Sequence, residues 1–133
     1  AGQEGALTDL VARFRDAGIR VSLFIDPEAA QVSAAAAVGA PCIELHTGAY
    51  AVSTDAARAG ELARLCRAAD QAHALGLQVN AGHGLTLDNL EPVLRLPHLD
   101  TLNIGHSIIS RAVFVGLAAA TAEMLAKLGC GGR

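Results

Sequence analysis

The sequence predicts an α/β fold of the (β/α)₈ barrel type, with about four βα units and parallel strands. Short apolar runs alternate four times with longer, Ala-rich amphipathic segments. Polar residues and glycines gather directly after the apolar runs. No linker or shift in composition interrupts this repeat over residues 1–133. Alternation of this kind is typical of a parallel sheet with helical crossovers, so we expect a single domain over residues 1–133.

The elements follow from length and periodicity. Four apolar runs have the length of strands and are too short for helices; they span residues 19–25, 41–46, 76–80 and 99–104. The segments around them are predicted helices, at residues 4–17, 27–38, 54–75, 87–94 and 106–128. Gly18, Gly39 and Gly76 stand where three of these helices should end, as glycine commonly does.

The number of units bears on the architecture. A complete barrel needs about 250 residues, whereas this chain has 133 and begins on a predicted helix with no strand before it. That is how the middle of a barrel would look, so we expect part of a barrel. A doubly wound open sheet is the alternative. Helices on one face of the sheet would indicate the barrel, and helices on both faces would indicate the open sheet.

Composition excludes several classes of partner. The formal net charge is −3 and the basic residues form no run, which disfavours nucleic acid. The sequence shows neither a membrane-length apolar run nor a basic-then-apolar leader, so no membrane association is expected. Cys42, Cys66 and Cys130 have no paired spacing. We expect reduced thiols in a cytoplasmic protein, with neither a disulfide framework nor a zinc site.

A functional site is expected at the carboxyl ends of the strands, where parallel α/β folds place it. Gly82 and Gly84 flank His83 after the third strand, and Gly105-His106 opens the last helix. Glycines allow close approach of backbone to ligand, and a helix N-terminus favours anions. These residues predict a phosphate site. Helix caps and tight turns are the alternative explanation of the glycines.

Two side chains at these ends suggest catalysis. Glu44 lies inside an apolar strand, where a carboxylate is costly to bury without a partner, and it shares strand parity with Cys42 and His46. It would be a catalytic or substrate-binding group, or a structural Glu held by Arg or backbone donors. His83 would be a general acid, since imidazole titrates near neutral pH, or a structural histidine. Asp26 is predicted to cap the helix that follows it.

Five motifs together resemble the pyridoxine 5′-phosphate synthase family. They occur in order along the whole chain: Val21-Ser-Leu-Phe-Ile-Asp26, Gly39-Ala-Pro41, Ile43-Glu-Leu-His-Thr-Gly48 with Tyr50-Ala51, Val79-Asn-Ala-Gly-His-Gly-Leu-Thr86 and Leu102-Asn-Ile-Gly-His106. The resemblance covers only the C-terminal half of the family's barrel.

The resemblance implies an activity. The family condenses 1-deoxy-D-xylulose 5-phosphate with 3-amino-2-oxopropyl phosphate and releases phosphate and water, without a metal or organic cofactor. It implies that His83 is the proton donor and that Glu44 stabilises the transition state. It implies that Gly84, Gly105 and His106 hold substrate or product, largely through phosphate. Family members are homo-oligomers, which suggests the same for this protein at full length.

The resemblance also implies that part of the site is absent from this chain. The family's other acid/base residues, a His and a Glu, lie on the first four βα units, which have no counterpart here. We therefore expect residues 1–133 alone to be inactive. Two alternatives remain at this point: a half-barrel that binds a phosphorylated ligand without catalysis, and an unrelated phosphosugar barrel enzyme.

Overall fold

The fold is a four-stranded parallel sheet with helices between its strands, seen in a computed structural model that describes residues 4–129. The strands are β1 (Ser22–Ile25), β2 (Cys42–His46), β3 (Gln78–Gly82) and β4 (Leu99–Asn103). The helices are α1 (Glu4–Asp16), α2 (Ala29–Ala37), α3 (Gly48–Val52), α4 (Asp55–Ala74), α5 (Leu90–Val93), α6 (His106–Val115) and α7 (Leu117–Lys127). Cys130 and its predicted reduced thiol lie outside the described residues.

The sheet is ordered as the chain is, β1-β2-β3-β4, and every pairing is parallel. Phe24 pairs with Glu44, and Glu44 pairs with Asn80, so the carboxyl ends of the strands meet at one edge. The prediction of adjacent parallel strands in sequence order is confirmed.

The helices cover one face of this sheet. Alternate strand residues, such as Ile43 and Leu45 in β2, are fully buried against α2, α4, α5 and α7. α1 packs through Val11 onto Val38 and Ala40 in a smaller cluster beside Val21. The opposite face carries Phe24, Glu44 and other polar or exposed side chains. This one-sided arrangement is half of a (β/α)₈ barrel, as predicted, and not a doubly wound sheet.

Several boundaries differ from the prediction. β1 begins at Ser22 and not at residue 19, while β3 continues to Gly82. Residues 48–52 form the short helix α3, which was not predicted, and the helix expected over 87–94 is reduced to Leu90–Val93. The helix expected over 106–128 is broken at Gly116, whose φ of 84° and ψ of 154° are not helical and are adopted readily only by glycine. The described helices include none that is both long and apolar enough to cross a membrane.

Candidate functional site

A cavity of about 660 Å³ opens at the carboxyl ends of the strands. Its lining includes all five of the predicted site residues, Glu44, His83, Gly84, Gly105 and His106. Phe24, Leu85, Thr86, Asn103, Ile104 and Ser107 complete the wall. The residues come from β1, β2, the end of β4, the loops after β3 and β4, and the start of α6. The structure therefore brings the predicted residues together in one place.

Glu44 stands on the helix-free face of β2, because its neighbours Ile43 and Leu45 point into the core. Its Oε2 accepts a hydrogen bond of 2.5 Å from Nδ2 of Asn103 on β4. The carboxylate passes over Gly82 of β3, where a Cβ would overlap Glu44 Oε1 and would lie 2.7 Å from the carbonyl oxygen of Asn103. The partner of Glu44 is thus a side-chain amide, neither the Arg nor the backbone donors considered from sequence.

His83 follows β3 directly and adopts a left-handed backbone conformation, with φ of 86°. The hydroxyl of Thr47 lies 2.7 Å from the carbonyl oxygen of Gly82 and 2.5 Å from that of His83. The amide of Thr47 also donates to the Gly82 carbonyl oxygen, at 2.9 Å. Thr47 is fully buried. The peptide that carries the His83 imidazole is therefore tied to the end of β2.

The imidazole of His83 belongs to a cluster of three rings. Its centroid lies 4.8 Å from that of His46 and 6.3 Å from that of Phe24. A Cβ at Gly48 would lie 2.5 Å from His46 Nε2 and 3.3 Å from His83 Cδ2. Glycine at position 48 thus leaves room for both imidazoles.

Asp26 does not cap α2, so that prediction is wrong. The N-cap residue of α2 is Glu28. Oδ1 of Asp26 instead lies 3.0 Å from Nδ1 of His46, at the end of the neighbouring strand. The parallel pairing of β1 with β2 places these two strand ends side by side, so the Asp26 carboxylate contacts the His46 imidazole and not the amides at the start of α2.

The side chain of Asn89 holds the loop after β3 through two hydrogen bonds. Its side chain accepts a hydrogen bond from the Thr86 amide at 2.8 Å and donates to the Gly84 carbonyl oxygen at 3.1 Å. The hydroxyl of Tyr50 in α3 donates to the Asn89 carbonyl oxygen at 2.6 Å. Burial raises the pKa of Tyr50, an effect partly offset by the positive charge of Arg58. The phenol therefore remains a donor throughout the neutral range.

Gly105 and His106 form the start of α6. Gly105 is the N-cap residue, and no side chain caps it. A Cβ at Gly105 would meet no atom within 4 Å, so this face of the backbone is open. Ser107 donates to the Leu85 carbonyl oxygen at 2.7 Å and joins the start of α6 to the loop after β3. Uncapped amides and the helix dipole make this end of the cavity attractive to an anion.

Thr47 and Asn89 hold this site together, and no role was predicted for either of them. Thr47 follows β2 and Asn89 is the N-cap residue of α5, positions where small polar residues form turns and caps as often as they support a site. Among the side chains that the structure describes, no group of three or more from His, Cys, Asp or Glu is arranged to hold a metal ion.

Comparison with known proteins gives consistent matches. The family model described as "Pyridoxal phosphate biosynthesis protein PdxJ" matches residues 1–129. A protein of Magnetococcus marinus named pyridoxine 5′-phosphate synthase is 57% identical over 124 residues, which are 92% of this chain and 51% of the relative. Proteins of the same name from Akkermansia muciniphila and Synechococcus sp. are 58% and 56% identical, over 91% and 97% of this chain and 50% and 54% of their own lengths. The chain spans about half the length of the curated relatives it matches.

Proposed function

Since the chain belongs to the PdxJ family, we propose that it supplies half of the active site of a pyridoxine 5′-phosphate synthase. The reaction would be the condensation of 1-deoxy-D-xylulose 5-phosphate with 3-amino-2-oxopropyl phosphate in vitamin B6 biosynthesis, with release of phosphate and water. The observation that supports this best is the common cavity of Glu44, His83 and the glycine-rich strand ends.

His83 would act as the proton donor. Its backbone is tied to Thr47, its side chain is solvent-exposed at the cavity wall, and imidazole can carry a proton near neutral pH. Protonating a departing oxygen lowers the barrier to its release. The neighbouring rings of Phe24 and His46 limit the directions in which this imidazole can point.

Glu44 would stabilise positive charge that develops during ring closure. The hydrogen bond from Asn103 orients its carboxylate, so little reorganisation is needed when the charge appears. Because Glu44 and His83 line the same cavity, one bound intermediate could contact both.

Gly84, Gly105 and His106 would hold a substrate phosphate. The free amides at the start of α6 and the open backbone at Gly105 are the features that favour this role. The same features alone would suit a half-barrel that binds a phosphorylated ligand without catalysis, which is the second candidate function.

We further propose that the full-length protein is cytoplasmic and homo-oligomeric and that these residues form part of one barrel domain. The free thiols of Cys42 and Cys66 are in keeping with a reducing compartment. The strongly exposed Val113 and Phe114 on α6 favour self-association.

The decisive experiment joins residues 1–133 to the part of the Magnetococcus marinus relative that lies outside the match; we call this protein the hybrid synthase. It should form pyridoxine 5′-phosphate from the two phosphorylated substrates, measured by chromatography against a reaction without enzyme. The matched relative itself is the positive control. A folded hybrid synthase that binds phosphate but shows no turnover would support the binding half-barrel instead.

A further inference from the structure

The hydroxyl of Thr47 contacts the two peptide groups on either side of one α-carbon. The Gly82 carbonyl belongs to the peptide before the His83 Cα, and the His83 carbonyl belongs to the peptide after it. Thr47 Oγ1 lies 2.7 Å from the first oxygen and 2.5 Å from the second. The hydroxyl has one hydrogen, so the two carbonyl oxygens share it in a three-centre hydrogen bond. Rotations of these two peptides about the His83 Cα are the φ and ψ angles of His83, so a single side chain restrains both.

Thr47 restrains a residue whose backbone conformation is unfavourable. His83 has φ of 86°, a region that is costly for any residue with a Cβ. Such a conformation persists only when the surroundings enforce it. Thr47 is fully buried, and its own amide is bonded to the Gly82 carbonyl at 2.9 Å, so its position is fixed by β2 and β3. It therefore provides a rigid support for the strained residue.

The conformation of the backbone decides where the imidazole goes. With its Cα–Cβ direction set, the His83 ring reaches the cavity wall 4.8 Å from the His46 ring. A change of His83 to an ordinary extended or helical φ would move the ring away from this position.

We propose that Thr47 is a positioning residue, which holds the His83 peptide left-handed and thereby directs the imidazole into the cavity. This inference rests on the proposed role of His83 as proton donor. Thr47 contacts the backbone and not the reacting atoms. Its effect should therefore appear in the catalytic step and not in substrate binding.

The test compares Thr47→Val, which keeps the shape but loses the hydroxyl, with Thr47→Ser, which keeps the hydroxyl. In the hybrid synthase, Thr47→Val should lower kcat by about 10- to 100-fold, the penalty of a small misplacement, with KM changed by less than about three-fold. Thr47→Ser should recover most of the loss. Thr8→Val is the matched control. The Thr8 hydroxyl also donates to a backbone carbonyl, that of Glu4 at 2.8 Å, but it is exposed on α1 and does not line the cavity. It should leave kcat unchanged.

A spectroscopic measurement separates positioning from turnover. The ring protons of His83, identified by their loss in His83→Gln, experience ring currents from His46 and Phe24. Thr47→Val should shift these resonances, while Thr47→Ser and Thr8→Val should not. If the parent hybrid synthase shows no turnover, the proposed function fails, and the spectrum still decides whether Thr47 positions the ring.

Unchanged His83 resonances together with an unchanged kcat in folded Thr47→Val would overturn the proposal. Should Thr47→Val fail to fold, Thr47→Cys replaces it, since a thiol is a much weaker donor. If Thr47→Cys then had the same kcat and the same His83 resonances as Thr47→Ser, the positioning role of Thr47 would be contradicted. A lowered kcat with shifted resonances would support the positioning role.

Discussion

Glu44 and Asn103 meet above Gly82, joining β2 to β4 across the strand that lies between them. The 2.5 Å hydrogen bond holds the carboxylate at the cavity wall, in the space that a side chain at position 82 would fill. A carboxylate held in this way can act on developing positive charge without first being reoriented.

We therefore expect Glu44→Gln to lower kcat of the hybrid synthase by roughly two orders of magnitude, with KM changed only a few-fold. The amide keeps the size of the side chain but removes its charge. Steady-state kinetics on both substrates would measure this. Glu91→Gln, on the exposed surface of α5, is the control. A KM effect as large as the kcat effect would assign Glu44 to substrate binding.

His83→Asn should reduce the rate by about 10²- to 10⁴-fold, the usual contribution of a general acid, while leaving phosphate affinity within a few-fold. The amide can hydrogen-bond but cannot deliver a proton as imidazolium does. Turnover and phosphate calorimetry on the same preparation test the two halves of the prediction. The comparison is His73→Asn, on the exposed end of α4. An undiminished rate would show that the proton comes from another group.

Gly105→Val should abolish phosphate binding in the hybrid synthase. The backbone at Gly105 is open to the cavity, so the new side chain would occupy space needed by the anion. Gly60→Val, which also meets open space but lies on α4, should bind phosphate normally. Calorimetric titration with inorganic phosphate gives the comparison. Equal affinities in the two variants would place the anion elsewhere.

The polypeptide of residues 1–133 alone should form no detectable pyridoxine 5′-phosphate and should self-associate or bind a hydrophobic dye. Within the described residues the sheet has four strands, and its two edge strands are unpaired on their outer sides. Three large apolar side chains are also strongly exposed: Phe24 at 53%, Val113 at 79% and Phe114 at 83%. Light scattering and dye fluorescence, alongside the turnover assay, test this. A monodisperse monomer that melts cooperatively without binding dye would contradict it.

Tyr50→Phe should destabilise the fold by about 1–2 kcal/mol at neutral pH, because the buried Asn89 carbonyl oxygen loses its donor. Burial raises the pKa of Tyr50 above its ordinary value of 10.0, so the folded protein keeps this proton to higher pH than the unfolded chain. The contribution of this hydrogen bond to the free energy of unfolding is therefore complete below pH 10, the pKa of the unfolded chain, and is lost as the pH rises through the folded pKa. Urea unfolding of the hybrid synthase and its Tyr50→Phe variant measures the difference between their free energies of unfolding. This difference should be smaller above pH 10 than at neutral pH. A constant difference would exclude this linkage.

The sheet was predictable because its signals are local. The apolar alternation of β2 places Ile43 and Leu45 on one face and Glu44 on the other, and this needs only neighbouring residues. The glycine-rich ends of β3 and β4 marked the cavity for a similar reason. The identity of the partner of Glu44 could not be predicted, since Asn103 is 59 positions away.

Contacts between distant segments account for the misses at Thr47 and Asp26. Thr47 lies 35 and 36 residues from the carbonyl groups it contacts, so no periodicity in the sequence indicates the link. Asp26 has the local pattern of a helix cap, yet its carboxylate pairs with His46. Gly116 stands inside a continuous helical pattern, and a glycine at such a position is often tolerated without a break.

Gly82 restricts how this site can change through mutation. Shortening Glu44 would remove one obstacle to a larger residue at position 82, but the Asn103 carbonyl oxygen would still lie 2.7 Å from the new Cβ. That second obstacle is backbone, and it persists in any descendant that keeps β3 and β4 in their present register. A lineage can therefore exchange the carboxylate or its amide partner while the glycine beneath them stays fixed. New chemistry at these strand ends would arise from other side chains at positions 44 and 103, with glycine retained at position 82.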